Sequence, residues 1–207
     1  MSNSENKAAS YAIIGFGKIG KALAKAFARK GIEVSVATTR DAESFASEAA
    51  AIGIGINATT LAEAVKADII FLAVRFESHP DVARALPNWQ GKTIVDVTNA
   101  YGVPPEQMEG LPSARFVMKA FTGGKLVKGF NHVGAAILEQ DPAVHGGKRV
   151  VFLASDDEGA AAEISVLAEK LGFAPVKLGG LSAGGLLVQA HGNTWGQLIF
   201  QDLVKFK

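Results

Sequence analysis

The chain has 207 residues, of which 48% are hydrophobic, and a formal net charge of +1. That is enough apolar material for one or two compact units, and so balanced a charge gives no reason to expect a nucleic-acid partner. The absence of cysteine excludes disulfides, thiol catalysis and Cys-ligated zinc. No apolar run reaches the length of a membrane span before Gly, Lys or Asp interrupts it, so no membrane partner is expected either. Residues 1–10 are polar and lack the apolar core of a signal peptide; they are expected to be a disordered tail on a soluble, cytoplasmic protein.

The first predicted element is a strand, Tyr11 to Ile14, which runs into Gly15-Phe-Gly17-Lys-Ile-Gly20 and a helix from Lys18 to Lys30. Three glycines at this spacing between a strand and a helix have a physical reading. The first permits a tight turn, the second lets backbone approach a pyrophosphate, and the third lets helix and strand pack closely. Free N–H groups at the helix start, aided by the helix dipole, then hold the anion. Gly31 stops that helix and Glu33 to Ala37 forms the second strand. Asp41 to Ala51 is a helix capped by Asp41, Ile54 to Ile56 a short strand, and Thr60 to Val65 a brief helix. Ile69 to Val74 is continuous and apolar, as a buried central strand requires, and Thr93 to Val97 is the next strand.

Val103 to Gly110 carries two prolines and reads as a loop or a helix start. A helix follows at Ser113 to Phe121, then strands at Leu126 to Phe130 and Val150 to Ala154. Asp156 and Asp157 introduce a helix from Glu158 to Leu171, and Pro175 to Leu178 is a strand. A Gly-rich loop from Gly179 to Gly185 leads to an amphipathic helix ending near Phe206, with Trp195, Leu198, Phe200 and Leu203 available for core or dimer packing. The alternation of strands and helices predicts an α/β fold of Rossmann type, a doubly wound and mainly parallel sheet with a small C-terminal α/β extension. Residues 11–124 form the nucleotide-binding domain in this reading, and residues 125–207 a smaller acceptor-binding lobe packed on it.

The end of the second strand decides which dinucleotide is expected. An NAD site places Asp or Glu there, about 20 residues after the glycines. Ala37-Thr38-Thr39-Arg40 has no carboxylate. Two hydroxyls and a guanidinium donate to a 2′-phosphate instead, so NADP(H) is the expected cofactor. Gly15, Phe16, Gly17, Lys18, Ile19, Gly20, Thr38, Thr39 and Arg40 are the candidate contacts, with Ala73, Val74, Arg75, Asn99 and Ala100 at the ends of the next two strands.

These motifs resemble the coenzyme F420-dependent NADP oxidoreductases, small two-lobed proteins that pass hydride between NADP and a deazaflavin. The resemblance rests on the glycine turn, Thr39-Arg40, Ala67 to Val74, Asp96-Val-Thr-Asn99, Leu126-Val-Lys-Gly-Phe-Asn131 and Leu171 to Ser182. The membrane metalloreductases carry a similar cytoplasmic domain. Two positions depart from the family pattern: Arg75-Phe76 stands where Pro-Trp is common, and Ala100 where Pro is frequent. The resemblance implies an NADP(H)-dependent oxidoreductase with F420, a flavin or a related small-molecule electron acceptor as co-substrate, and a homodimer. Phe130, Asn131 and His132 are then expected on the acceptor side, with Ser182 and Leu186 on the other wall. Hydride transfer asks the protein for little acid or base, and His132 is the only candidate for a catalytic proton or hydrogen bond. The four histidines have no metal-ligand spacing, so no metal is expected. Two other readings stay open: a non-enzymatic NADP(H)-binding sensor, and a reductase of a small organic substrate.

Overall fold

The computed structural model describes residues 8–191 and 201–206. Six parallel strands form its centre: β1 (Tyr11–Ile14), β2 (Val34–Ala37), β3 (Ile56–Ala58), β4 (Ile69–Leu72), β5 (Thr93–Asp96) and β6 (Lys125–Gly129). Their spatial order is β3-β2-β1-β4-β5-β6, so the sheet grows one way from β1 to β3 and the other way from β4 onward. Consecutive side chains of the central strands go to opposite faces. Ile69 and Phe71 enter one core and Ile70 and Leu72 the other, and β5 divides in the same way at Val95 and Ile94.

Helix α1 (Lys18–Arg29) buries Leu23 and Phe27 on the first face. Further along the chain come α2 (Glu43–Ala50), α3 (Leu61–Ala64), α4 (His79–Ala83), α5 (Ser113–Ala120), α6 (Ala135–Leu138), α7 (Glu158–Lys170) and α8 (Gly184–Leu187). An aromatic row threads the first core from Tyr11 through Phe27, Phe71 and Phe130 to Phe173, with neighbouring ring centroids 5.4 to 5.8 Å apart. Trp89 and Phe121 anchor the second core, 4.9 Å apart.

Beyond β6 the sheet continues. Strand β8 (Gly147–Ala154) pairs antiparallel with β6, and β9 (Ala174–Lys177) lies parallel to β8. The C-terminal lobe expected from residue 125 thus extends the same sheet, and its strands share hydrogen bonds with the first unit. Two short strands, β7 (Ala143–Val144) and β10 (Val204–Lys205), pair antiparallel with β8.

Several boundaries differ from the sequence reading. Helix α2 begins at Glu43, because Asp41 enters it through its carbonyl, which accepts from the Ser44 N–H and hydroxyl, and not as a side-chain cap. Strand β3 starts two residues late: Gly53 and Gly55 turn with positive φ and leave Ile54 almost wholly exposed. The long C-terminal helix is a correction. Gly184–Leu187 is a single turn, and Val204 and Lys205 pair with Arg149 and Lys148 as a strand. Trp195, Leu198 and Phe200 lie outside the described residues. Ser10, placed in the tail expected to be disordered, is tied to Asp68 by its N–H (2.8 Å) and hydroxyl (2.7 Å).

Candidate dinucleotide site

The direction of sheet growth reverses between β1 and β4, and a doubly wound sheet opens its ligand crevice at the strand C-termini of such a point. The turn Gly15–Gly17 and the segment Ala73–Arg75 meet there. Ala73 N–H donates to the Ile14 carbonyl and Gly15 N–H to the Ala37 carbonyl, both at 2.8 Å, so the ends of β4, β1 and β2 form one rim. Two cavities of about 350 and 340 Å³ lie on either side of it and share Gly17, Ala73, Val74 and Arg75. The first reaches Lys18, Val97, Thr98, Asn99 and Tyr101; the second reaches Gly15, Thr38, Thr39 and Leu61. A molecule with two halves joined over Gly17 matches this shape.

The three glycines do different work. Gly15 has φ +107, and a Cβ there would stand 2.3 Å from the Ala73 carbonyl oxygen. At Gly20 a Cβ would stand 1.9 Å from the Gly15 carbonyl oxygen. Both positions are closed by backbone, so they build the turn. Gly17 is different: a Cβ there meets nothing within 4 Å, because the position faces open space at the start of α1. The first intrahelical bond of α1 runs from Lys21 N–H to the Gly17 carbonyl, so the N–H groups before it have no helical acceptor. The residues present therefore fit a pyrophosphate, with backbone donors and the helix dipole directed to the space beside Gly17.

Thr38 and Thr39 line the second cavity, and Thr38 Oγ1 accepts the Arg40 N–H at 2.8 Å. The Arg40 guanidinium lies 5.1 Å from the centre of the Phe45 ring and 3.5 Å from Glu48. It is half exposed, beside the cavity and not in its wall.

The opposite end of the cleft rests on a buried ion pair. Lys128 Nζ lies 3.1 Å from Asp96 Oδ2, and neither side chain is exposed to solvent. Lys128 also donates to the Thr98 carbonyl, while Asp96 Oδ1 accepts from Thr98 N–H (2.9 Å) and Thr98 hydroxyl (2.7 Å). Burial pushes the Lys128 ammonium below its usual range, against the pull of Asp96. The next residue, Asn99, forms a reciprocal pair with Asn131: Asn131 Nδ2 donates to Asn99 Oδ1 (3.0 Å), and Asn99 Nδ2 to the Asn131 carbonyl (2.8 Å). Asn131 also donates to the Val188 carbonyl at 2.7 Å, so the cleft wall is tied to the segment after α8.

The model of the coenzyme F420-dependent NADP oxidoreductase family matches residues 10–100, from the residue before β1 to the turn after β5. Over that stretch, which is less than half of its length, the chain is similar to that family. A protein of Sinorhizobium meliloti, hypothetical protein SMa0349, has the same fold with a TM-score of 0.88 and 36% identity, over 96% of each chain. A protein of Arthrobacter sp. FB24, named as a candidate F420-dependent NADP reductase, superposes with a TM-score of 0.67 and 24% identity, over 84% of this chain and 86% of its own. The metalloreductase STEAP3 of Rattus norvegicus is 29% identical over 179 residues, which is 83% of this chain and 34% of that protein. The chain thus spans about a third of that relative's length. No helix among the described residues is long and apolar enough to cross a membrane.

The family match ends at residue 100, so the residues assigned to the acceptor rest on the geometry of this chain alone. Of these, Asn131 reaches the cleft through Asn99. Phe130 and His132 are corrections, since both are completely buried and line neither cavity. Phe130, at φ +61, turns its ring into the aromatic row of the core, and this left-handed step brings Asn131 to Asn99. His132 packs 4.6 Å from the Phe152 ring, with Nε2 3.3 Å from the Val150 carbonyl. Phe16 and Ala100 are also core side chains; only their backbone is available to a ligand. Ser182 accepts from Arg115 Nε at 2.8 Å, and Leu186 is exposed; neither lines the cleft. Tyr101, Val97 and the Lys128 ammonium that pairs with Asp96 are among the site features that the sequence reading did not name.

Desolvation lowers the His132 pKa to about 4. The unfolded chain, at about 6.5, therefore binds a proton that the folded one does not between those values. Stability is complete above pH 6.5 and is expected to fall by about 3 kcal/mol on acidification to pH 4 from this group alone. Urea unfolding at several pH values tests this, and His132→Phe is expected to remove that part of the slope.

Proposed function

We propose that the protein is an NADP(H)-dependent oxidoreductase that passes hydride between NADPH and a deazaflavin, flavin or similar small electron carrier. The cleft carries the reading: two adjoining cavities meet over an open Gly17 at a helix N-terminus, with Thr38, Thr39 and Arg40 where an NAD site keeps a carboxylate. The bound cofactor would supply the hydride at its nicotinamide ring. The residues of the chain have to place that ring, exclude water from one face of it and leave the other face to the acceptor. Ala73, Val74 and Val97 give apolar wall, Asn99 gives an amide held in one orientation by Asn131, and Lys18 and Arg75 give positive charge near the pyrophosphate position. Tyr101, exposed at the mouth and edge-on to His191 at 5.9 Å, offers an aromatic surface to a planar acceptor.

The test is NADPH oxidation against deazaflavin, free flavins and ferric chelates, the last because a metalloreductase is among the relatives. Turnover with at least one acceptor is expected, and none with any would overturn the proposal. The nucleotide choice has a separate test. Arg40→Ala is expected to weaken NADPH by about tenfold or more and to leave NADH nearly unchanged, since a hydrogen bond to a charged group is worth about 1.5–3 kcal/mol. Equal weakening of both would mean that Arg40 does not read the 2′-phosphate.

A further inference from the structure

Beside the second cavity, two cations converge on one carboxylate. Lys21 on α1 pairs with Glu48 Oε1, and Arg40 with Glu48 Oε2 at 3.5 Å. The two cations lie over a pair of aromatic rings. Phe16 and Phe45 are 5.5 Å apart, Lys21 Nζ is 5.4 Å from the Phe16 centroid, and Arg40 Cζ 5.1 Å from that of Phe45. Phe16 belongs to the glycine turn, and the Arg40 backbone is bonded to Thr38 in the cavity wall, so the cluster is built onto the nucleotide rim. Lys21 and Arg40 thus grip the two oxygens of a single anion, and two oxygens of one phosphate present the same spacing to them. The hydrogen bond from Lys21, with the charges of both cations, holds the Glu48 carboxyl below its usual range, so it stays ionised in this position.

We propose that Lys21 is a second cation for the 2′-phosphate and that Glu48 is an internal counter-anion, which occupies Lys21 and Arg40 until NADP(H) displaces it. Glu48 then attenuates the preference for NADP(H) over NAD(H), because a 2′-hydroxyl has no charge with which to compete for the two cations. The inference rests on the assignment of this cavity to the adenosine half of the dinucleotide. It adds Lys21 as a ligand and gives α2 a part in cofactor choice.

Glu48→Gln keeps the shape and removes the charge. Two exposed ion pairs no longer have to break on binding, so the dissociation constant for NADPH is expected to fall about three- to tenfold, while that for NADH stays within about twofold. 2′,5′-adenosine diphosphate, which carries the 2′-phosphate but no nicotinamide, is expected to follow NADPH, and 5′-AMP is expected not to respond. Lys21→Met is expected to weaken NADPH and 2′,5′-adenosine diphosphate selectively. An NADPH affinity that is unchanged or reduced in Glu48→Gln would overturn the counter-anion role, and equal loss of NADPH and NADH in Lys21→Met would overturn the second-cation role. Arg40→Ala separates this from the parent reading. If that variant loses NADPH selectivity while Glu48→Gln changes nothing, only the present inference fails; if it loses none, the 2′-phosphate site itself is misplaced.

Discussion

Replacing Gly17 by alanine is expected to leave the protein folded within about 1 kcal/mol of its original stability and to weaken NADPH about a hundredfold. The two halves of that expectation have separate causes. Gly17 has φ −78 and ψ −165, a conformation open to any L-residue, and an added Cβ touches nothing. The structural cost is limited to the poorer N-cap that alanine makes, typically ~1 kcal/mol. The same methyl group, however, fills the space through which a pyrophosphate would approach the N–H groups at the start of α1. Losing one or two hydrogen bonds to a charged oxygen costs about 1.5–3 kcal/mol each, which gives the hundredfold estimate. The neighbouring glycines behave oppositely. Alanine at Gly15 or Gly20 would drive Cβ into carbonyl oxygens at 2.3 and 1.9 Å, so those variants are expected to lose stability along with binding. Denaturant unfolding and calorimetric titration with NADPH, run on Gly17→Ala and Gly20→Ala side by side, read both quantities. A Gly17→Ala protein that binds NADPH with its original affinity would remove the anion from the helix N-terminus.

The parts of this fold that show in the sequence are those where one local rule acts alone. Strand β1 occupies Tyr11–Ile14 as its apolar run indicates, and α1 ends one residue from the expected position because Gly31 adopts φ +63 just beyond it. Asp157 caps α7 at the Ala160 N–H, 2.7 Å away, and Thr60 caps α3 at the Glu63 N–H. Elements that depend on a distant partner are missed. Val204 and Lys205 are extended because β8 offers them an edge, and no periodicity in the residues around them records that. The site divides along the same line. The glycine turn and Thr38–Thr39 sit in the cleft because backbone geometry puts them there. Phe130 and His132 followed a strand that points to the rim, yet a positive φ at Phe130 carries them inward, and only Asn131 returns to the cleft. Lys128 was the least legible. A lysine in a short strand ordinarily reads as solvated, and it takes the pairing of β6 with β5 to show that Asp96 lies within reach.

That pair supports the second large effect. Lys128→Met leaves the Asp96 carboxylate with no exposure and no countercharge, which typically costs 3–5 kcal/mol. In a chain of this size each kcal/mol shifts the melting temperature by about 2–4 °C, so a fall of roughly 6–20 °C is expected. Removing both charges is a different experiment. Lys128→Met with Asp96→Asn has no stranded ion and is expected to recover most of that loss, because the isolated charge and not the missing bond dominates the cost. The pair also holds Thr98 from both sides, N–H by Asp96 and carbonyl by Lys128, and Thr98 and Asn99 form the far wall of the first cavity. The double variant is therefore expected to turn over more slowly with any acceptor while binding 2′,5′-adenosine diphosphate as before, since Thr38 to Arg40 belong to the other side of the rim. A stable double variant with full turnover would show that the ion pair serves folding alone. Equal loss of turnover and of 2′,5′-adenosine diphosphate would show that it supports the whole crevice and not one wall of it.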